Sequence, residues 1–369
     1  MAKTNGEDSQ NASNPCEEDE AVLLLPQLPD DIIRRSLPLI PTKSAFRISL
    51  FSNQLEGAWC SGPEIDLDEG KPPANPDGGI NFTNVLTRYL KFRTESKDLH
   101  PDQSLFKLRV RMAMDDPVRQ DILEKLLIGF AKERSVKELD LSCLTIPARL
   151  SSLQTLINIK SLTSLSLESV RIKGDVAHYY THNSSDTLLP FLKTMSLKSM
   201  QLPNNNFSDM LISRCPSIET LSVTSCCFDL EYQQYTFWIP YSATLKCLEL
   251  RDCNFRYISV DSCRNLESFT SVSESPDVEE LSLGECDKLE KIEILEKHLE
   301  SIDISFLDNK TQCLKIKVDT PNLTSFTLDS EDMRHKCIDG QASFTHFFEY
   351  YYILEGFKKR GIDPSSLFR

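Results

Sequence analysis

The chain has 369 residues, is 40% hydrophobic and 26% charged, and carries a formal net charge of −14. That length suits two or three ordinary domains, or one small module followed by an elongated repeat array. The acid excess argues against general affinity for nucleic-acid phosphates or anionic membranes, which select basic surfaces.

Residues 1–24 set Glu7, Asp8, Glu17, Glu18, Asp19 and Glu20 against Lys3, among Asn, Ser and Gly. This composition predicts a disordered acidic tail. The N-terminus lacks the apolar stretch of a secretory signal, and no apolar run approaches the ~18 residues of a membrane span. The twelve cysteines are therefore expected to be reduced thiols in the cytoplasm or nucleus. They form no Cys-x-x-Cys pair and no Cys/His set with zinc-finger spacing. His178 and His182 stand four apart in a loop-like stretch, so no metal and no other cofactor is expected.

Residues 25–62 read as a small helical module. Pro29 suits a first helical position, and Asp30 and Asp31 suit the positive end of the helix dipole. Pro41 ends the turn after Ile40, and Thr42 can cap a second helix carrying Ala45, Phe46, Ile48 and Leu50. About forty residues bury little surface alone, so the module needs a partner or a neighbouring domain. Residues 63–81 read as a linker and 82–134 as a helical region capping the N-terminal end of a repeat array. Within it Asp115, Asp116 and Pro117 start a helix whose apolar stripe is Ile122, Leu123, Leu126, Leu127 and Phe130, running to about Glu133.

From residue 135 to 330 the spacing apolar-x-x-apolar-x-apolar recurs. Val136/Leu139/Leu141, Leu162/Leu165/Leu167, Leu192/Met195/Leu197, Ile218/Leu221/Val223 and Leu245/Leu248/Leu250 come first. Val278/Leu281/Leu283, Leu299/Ile302/Ile304 and Leu323/Phe326/Leu328 come next. The intervals, mostly 21 to 30 residues with one of 33, fall in the leucine-rich-repeat range. Each Leu-x-Leu core has period two, hence a short strand with one buried face. Three residues on comes a further inward position, held by Cys226, Cys253 and Cys286 among others, which makes these cysteines small buried corner residues. Tyr257–Val260 and Leu266–Val272 also alternate without a clear face. Ile292/Ile294 and Ile316/Val318 read as second strands on the side away from the main sheet. The Phe- and Tyr-rich residues 331–369 are expected to form a C-terminal cap and tail.

The polar residues between the strand apolars would line the concave sheet as a small, hydroxyl-rich, mildly acidic face. Its charged candidates for target contact are Glu138, Asp140, Glu168, Lys198, Glu249 and Arg251, with Glu280, Asp303 and Asp329 further on. The alternative is docking on loops such as 173–187 or 229–241, the latter carrying Tyr235 and Trp238. An enzyme is not expected: there is no Gly-rich phosphate loop, no Gly-x-Ser-x-Gly and no His-Glu-x-x-His.

Several phrases together resemble the plant F-box/leucine-rich-repeat family of the FBD type. They are Leu28-Pro29-Asp30-Asp31-Ile32, Leu39-Ile40-Pro41-Thr42-Lys43, Ser49 to Ser52, Phe130-Ala131 through Val136 to Leu141, and Cys215-Pro216-Ser217-Ile218 to Leu221. The resemblance spans roughly residues 25–330. It implies an α/β leucine-rich-repeat solenoid, horseshoe-shaped, preceded by an all-α F-box-like module. It also implies a non-catalytic substrate receptor of a Skp–cullin–F-box ubiquitin ligase, bound to a Skp-type adaptor, through it to a cullin, and to a protein target. The implied adaptor contacts are Leu28, Pro29, Ile32, Ile33, Leu37, Leu39, Pro41, Leu50 and Leu55. Three departures stand against the family pattern. Asn53-Gln54-Leu55-Glu56 replaces a basic-aromatic stretch, Ser36 sits at a usually branched apolar position, and Pro38 interrupts the helix. The rival reading is a repeat-based binding or scaffold protein with no ubiquitin link.

Overall fold

In a computed structural model, residues 29–329 are described except 41, 50, 62, 71–81, 96–104, 114–126, 144–147, 151–155, 157–158, 173–188, 203–206, 229–234, 275–276, 307–314 and 321. The expected acidic tail and the expected C-terminal cap lie outside the described residues, as do residues 114–126 of the expected helix before the repeats.

Three helices open the described chain: α1 (Asp30–Ser36), α2 (Thr42–Ser49) and α3 (Asn53–Ser61), with a 3-10 turn over Leu37–Leu39. Then come β1 (Glu64–Asp68), α4 (Phe82–Glu95), β2 (Lys107–Met112), α5 (Gly129–Glu133), β3 (Glu138–Cys143), β4 (Ala148–Leu150), β5 (Ser164–Glu168) and β6 (Val170–Ile172). They are followed by β7 (Thr194–Lys198), β8 (Gln201–Leu202), α6 (Phe207–Arg214), β9 (Thr220–Thr224), β10 (Cys227–Phe228), β11 (Thr236–Ile239) and β12 (Cys247–Arg251). The last seven are β13 (Tyr257–Asp261), β14 (Ser268–Ser273), β15 (Glu280–Gly284), β16 (Lys291–Glu296), β17 (Ser301–Ser305), β18 (Lys315–Val318) and β19 (Ser325–Asp329). Among the described residues no helix is long and apolar enough to cross a membrane.

A ten-stranded parallel sheet runs in the order β1-β2-β3-β5-β7-β9-β12-β14-β16-β18. A second, five-stranded parallel sheet runs β11-β13-β15-β17-β19, and two short pairs, β4-β6 and β8-β10, accompany the earlier coils. The chain is thus strand-rich α/β. Most described strands bury alternate residues, as period two requires, while β3, β14 and β15 bury consecutive residues as well. In the long sheet Ile65, Leu108, Leu139, Leu165, Met195, Leu221, Leu248, Phe269 and Ile292 stack on one another across consecutive strands. They belong to one continuous core from Ile65 to Leu323.

Two expectations are corrected. The long sheet begins at Glu64, so β1 and β2 stand where the sequence predicted a linker and a helical cap region. Their inward residues Ile65, Leu67, Leu108, Val110 and Met112 are all at most 5% exposed. They escaped notice because α4 and residues 96–104 separate them by far more than one repeat. Of the helix expected up to Glu133, the structure describes the end, where Leu127, Ile128, Phe130 and Ala131 are buried.

The second correction concerns the repeats after Arg251. Residues 280–284, 301–305 and 325–329 do not continue the long sheet; they form the second sheet with β11 and β13. The long sheet continues instead through β14, β16 and β18, so the Ile292/Ile294 and Ile316/Val318 strands lie on it and not opposite it. In these coils both sides are strands with the same Leu-x-Leu pattern. Period two says that a residue faces inward but not which sheet it faces inward from. The untidy 33-residue interval was a step from one sheet to the other.

Strand ends share one corner. Ser169, Ser199, Ser225 and Asp252 after long-sheet strands, and Ser262 and Glu285 after second-sheet strands, have φ near +50° (49–54°). The amide of Ser199 reaches the Thr224 carbonyl of the next coil at 2.8 Å, and that of Ser225 the Arg251 carbonyl at 2.7 Å. These contacts hold a conformation that side-chain-bearing residues otherwise avoid. The next residue turns inward, placing Met200, Cys226, Cys253 and Cys286 in the core. Ser199 is exposed, so substitutions there report conformation alone. Ser199→Val is expected to destabilise by about 1–2 kcal/mol and Ser199→Gly by less than ~0.5 kcal/mol, read by urea titration.

Candidate functional site

The residues singled out from the sequence fall on two surfaces, one on the helical segment and one on the sheets.

In the helical segment Ile33 of α1 and Leu37, which opens the following 3-10 turn, lie one turn apart on the inner face, where they meet Ala45 and Ala58; Ile40, Ile48, Leu55 and Trp59 pack against them. Trp59 also meets Tyr89 of α4 edge-on, with ring centroids 5.1 Å apart. Glu56 pairs with Arg88 of α4 at 2.8 Å. The small core is therefore supported by a neighbouring element, as its size demands. Glu56, in the stretch that departs from the family pattern, is thereby given a tethering role.

The proposed adaptor positions separate into two groups. Ile33 and Leu37 are buried and Leu55 is partly buried, whereas Ile32 is 47% and Leu39 85% exposed and Pro29 is exposed. Leu28, Pro41 and Leu50 lie outside the described residues. Phe51, 74% exposed, is a further apolar side chain on this segment that sequence reasoning missed. Its place just past the α2 turn was the available signal. Ser36 does not leave a hole: its hydroxyl donates back to the Ile32 carbonyl at 2.8 Å and to that of Ile33 at 3.2 Å. Pro38 sits in the 3-10 turn after α1 has ended, where no α-helical hydrogen bond is lost.

On the long sheet, Glu138, Asp140, Glu168, Lys198, Glu249 and Arg251 all stand at outward register positions. All six are ion-paired. Lys107 meets Glu138 at 3.4 Å, and Arg109 bridges Asp66 and Asp140 at 3.2 Å each. Lys198 meets Glu168 at 2.6 Å, and Arg251 pairs with Glu249. The Glu168 carboxyl is held below its usual range, first by the Lys198 hydrogen bond and then by that from Ser142, against the opposing effect of burial. Flanking the strands, Glu219 takes Lys246 at 2.8 Å and Lys193 at 3.2 Å, and both lower its pKa. Glu293 is lowered in the same way by Lys317 and Lys291. Between the charged ends β5, β7 and β9 present Ser164, Ser166, Thr194, Ser196, Thr220 and Ser222. The mildly acidic face expected from the sequence is thus corrected. Lys107, Arg109, Arg111, Lys291 and Lys317 join this sheet together with Glu64, Asp66, Asp68 and Glu293, while Glu280, Asp303 and Asp329 leave it, so charge is locally balanced.

Tyr235 and Trp238, expected in a loop, stand at and in β11, the first strand of the second sheet. Tyr235 packs against the core and Trp238 is 41% exposed. Both amide and carbonyl of Trp238 are engaged by the Ser208 hydroxyl of α6, at 3.2 and 2.7 Å, which covers an edge that would otherwise be open to pairing.

The corner cysteines Cys226, Cys253, Cys263 and Cys286 are buried as free thiols. Their thiols donate to backbone carbonyls of their own and the preceding coil, as Cys226 does to Thr224 and Leu197. Burial pushes Cys226 and Cys263 up to about 12, and a thiolate is what reactivity or metal binding would need. Among the described residues no group of three or more His, Cys, Asp or Glu is placed to hold a metal ion.

A family model described as "FBD-associated F-box protein At5g56370, LRR repeats" matches residues 125–312, just over half of the chain. The chain belongs to this family. Among its relatives in Arabidopsis thaliana, FBD-associated F-box protein At5g44490 is 27% identical over 203 residues, covering 54% of this chain and 38% of the relative. F-box/FBD/LRR-repeat protein At5g22660 is 26% identical over 196 residues, covering 53% and 39%. FBD-associated F-box protein At5g60610 is 26% identical over 230 residues, covering 61% and 51%. The matched part therefore spans about half or less of these relatives' own length. The family repeat takes in strands of both sheets, from β3 to β17.

Proposed function

We propose that this chain is the substrate-recognition subunit of a Skp–cullin–F-box ubiquitin ligase, acting in the cytoplasm or nucleus. In this reading residues 30–61 are the F-box, the repeats form the horseshoe expected of the family, and neither performs chemistry. The role is to raise the local concentration of a protein target beside a ubiquitin-charged enzyme. The observation that carries it is the pairing of a family-matched repeat array with a helical segment that leaves Ile32, Leu39 and Phe51 exposed. Exposed apolar side chains on a small module supported from one side mark a surface built for another protein. The hydroxyl-rich middle of the long sheet, between its ion-paired ends, is the surface offered to the target.

The test is capture of a Skp-type adaptor from plant extract by the full chain and by Leu39→Glu. Because Leu39 is 85% exposed, the variant is expected to keep its fold. Loss of one apolar anchor costs about 2 kcal/mol or more, so adaptor recovery is expected to fall at least ~30-fold in affinity. A folded wild-type chain that captures no adaptor overturns the reading and leaves a repeat scaffold with no ubiquitin link. Capture that Leu39→Glu leaves unchanged removes this face from the interface.

A further inference from the structure

The second sheet has an outward face that the long sheet does not resemble. Its inward residues, such as Phe237, Ile258, Leu281 and Ile302, belong to the core. The register aligns Trp238, Ser259, Ser282 and Asp303 across four strands. On either side of that line stand Tyr257 and Glu280, and Asp261 and Gly284. No Lys or Arg occupies an outward position in any of the five strands. Glu280 and Asp303 are exposed and neither makes an ion pair among the described residues, although Arg256, itself paired with Glu279, lies close enough to Glu280 to interact with its charge. By contrast, the outward acids Glu138, Asp140, Glu168 and Glu249 of the long sheet are all paired. The middle is low, since Ser259, Ser282 and Gly284 carry little side chain. At one end Trp238 is 41% exposed, and Tyr241, two residues past β11, is 62% exposed.

We infer that this face is a second protein-docking surface, and that its occupant is an extended, arginine- or lysine-rich segment of a partner protein. Charge complementarity selects the occupant. Exposed carboxylates over a floor of small residues, with no Lys or Arg at the outward strand positions, favour cations, while an exposed indole accepts a guanidinium or the aliphatic stem of lysine. The molecule shows the same chemistry within itself at the rim. The Arg256 guanidinium lies 5.4 Å from the Tyr257 ring centroid and binds Glu279 at 2.7 Å. Trp238 stands on the same face, with Asp261 on the adjacent strand and Asp303 three strands away, so an extended segment crossing the strands meets the ring and the carboxylates in turn. A second copy of this chain would set the same acids against themselves, and nucleic acid would be repelled. The surface lies on the opposite sheet from the one proposed for target capture and does not depend on adaptor binding.

The test uses the full chain and a fluorescein-labelled peptide of alternating Arg and Ser, followed by anisotropy. The informative comparison is between two double variants that lose the same charge. Glu280→Gln/Asp303→Asn removes carboxylates from this face, and Glu267→Gln/Glu290→Gln removes exposed ones beside the long sheet. The first is expected to weaken binding about tenfold, from two exposed ion pairs, and the second less than ~2-fold. Trp238→Ala is expected to weaken it at unchanged net charge. Equal weakening by the two double variants, or no saturable binding, overturns the proposal. So does a sedimenting dimer that Trp238→Ala dissolves, which would give the face to a second copy.

Discussion

Phe255→Ala is expected to destabilise the chain by about 3–5 kcal/mol and to lower its melting temperature by about 10 °C. Phe255 is fully buried. Its ring lies 5.1 Å from that of Phe228 and 4.9 Å from that of Phe237, the latter stacked. Phe228 ends β10, the last of the short strands beside the earlier coils, and Phe237 is in β11, the first of the second sheet. Phe255 therefore joins two kinds of coil at the point where one gives way to the other. A stack of repeats is stabilised by contacts between neighbours, so loss at this junction is expected to do more than lower the midpoint. Hydrogen exchange should then rise first on one side of residue 255, and the calorimetric transition should broaden or split. Phe191→Ala, at a site 60% exposed, is the control and should shift stability by under ~0.5 kcal/mol. A single sharp transition with a shift no larger than the control's would remove Phe255 from this role.

Glu296→Gln is expected to stabilise the chain above neutral pH and to have little effect below about pH 4.5. Glu296 ends β16 pointing into the core, with 2% of its surface exposed. One carboxylate oxygen accepts a hydrogen bond from Ser271 at 2.5 Å, and the other has no partner. Burial pushes its pKa up to about 7, the Ser271 bond opposes that rise, and the Asp252 carboxylate adds to it. The thiol of Cys253 is in the same region. In the unfolded chain the carboxyl titrates near 4.5. Between that value and about 7 the folded state holds the proton and the unfolded state does not, so stability falls as pH rises through this window. Above it the wild-type chain carries the full cost, about 3 kcal/mol. Gln keeps a polar group for Ser271 and removes the charge. Urea titrations at about pH 4.5 and pH 8 check this: the difference between the two proteins should open only at the higher pH. Equal stability at both values would place the folded-state titration at its ordinary position.

Much of the architecture was legible in the chain because period two in Leu-x-Leu strands and a 21- to 30-residue recurrence are local properties. The corner cysteines were legible too, since a small apolar residue at a constant offset from the strand has one economical location. The split of the adaptor positions was not. Ile32 and Ile33 are adjacent and equally apolar, and only the docking of α1 against Ala45 and Ala58 decides that Ile33 is buried and Ile32 is not. The charge balance of the long sheet was equally hidden. Arg109 sits far in sequence from its partners Asp66 and Asp140, and strand pairing alone brings them to 3.2 Å.

The repeat, the inward residues of most strands, the helical module before them and the family resemblance could all be read from the chain. Where the long sheet begins, and which strands belong to which sheet after Arg251, emerged only from the folded arrangement of the coils. The physical reason is that side-chain alternation is set by the backbone of one strand, whereas membership of a sheet is set by hydrogen bonds to a neighbouring coil. Two strands of the same pattern in one coil are identical until those bonds form. Placement of Asp303 and Glu280 on the sheet opposite the ion-paired one, the same sheet that carries Trp238, comes from that pairing and from nothing local.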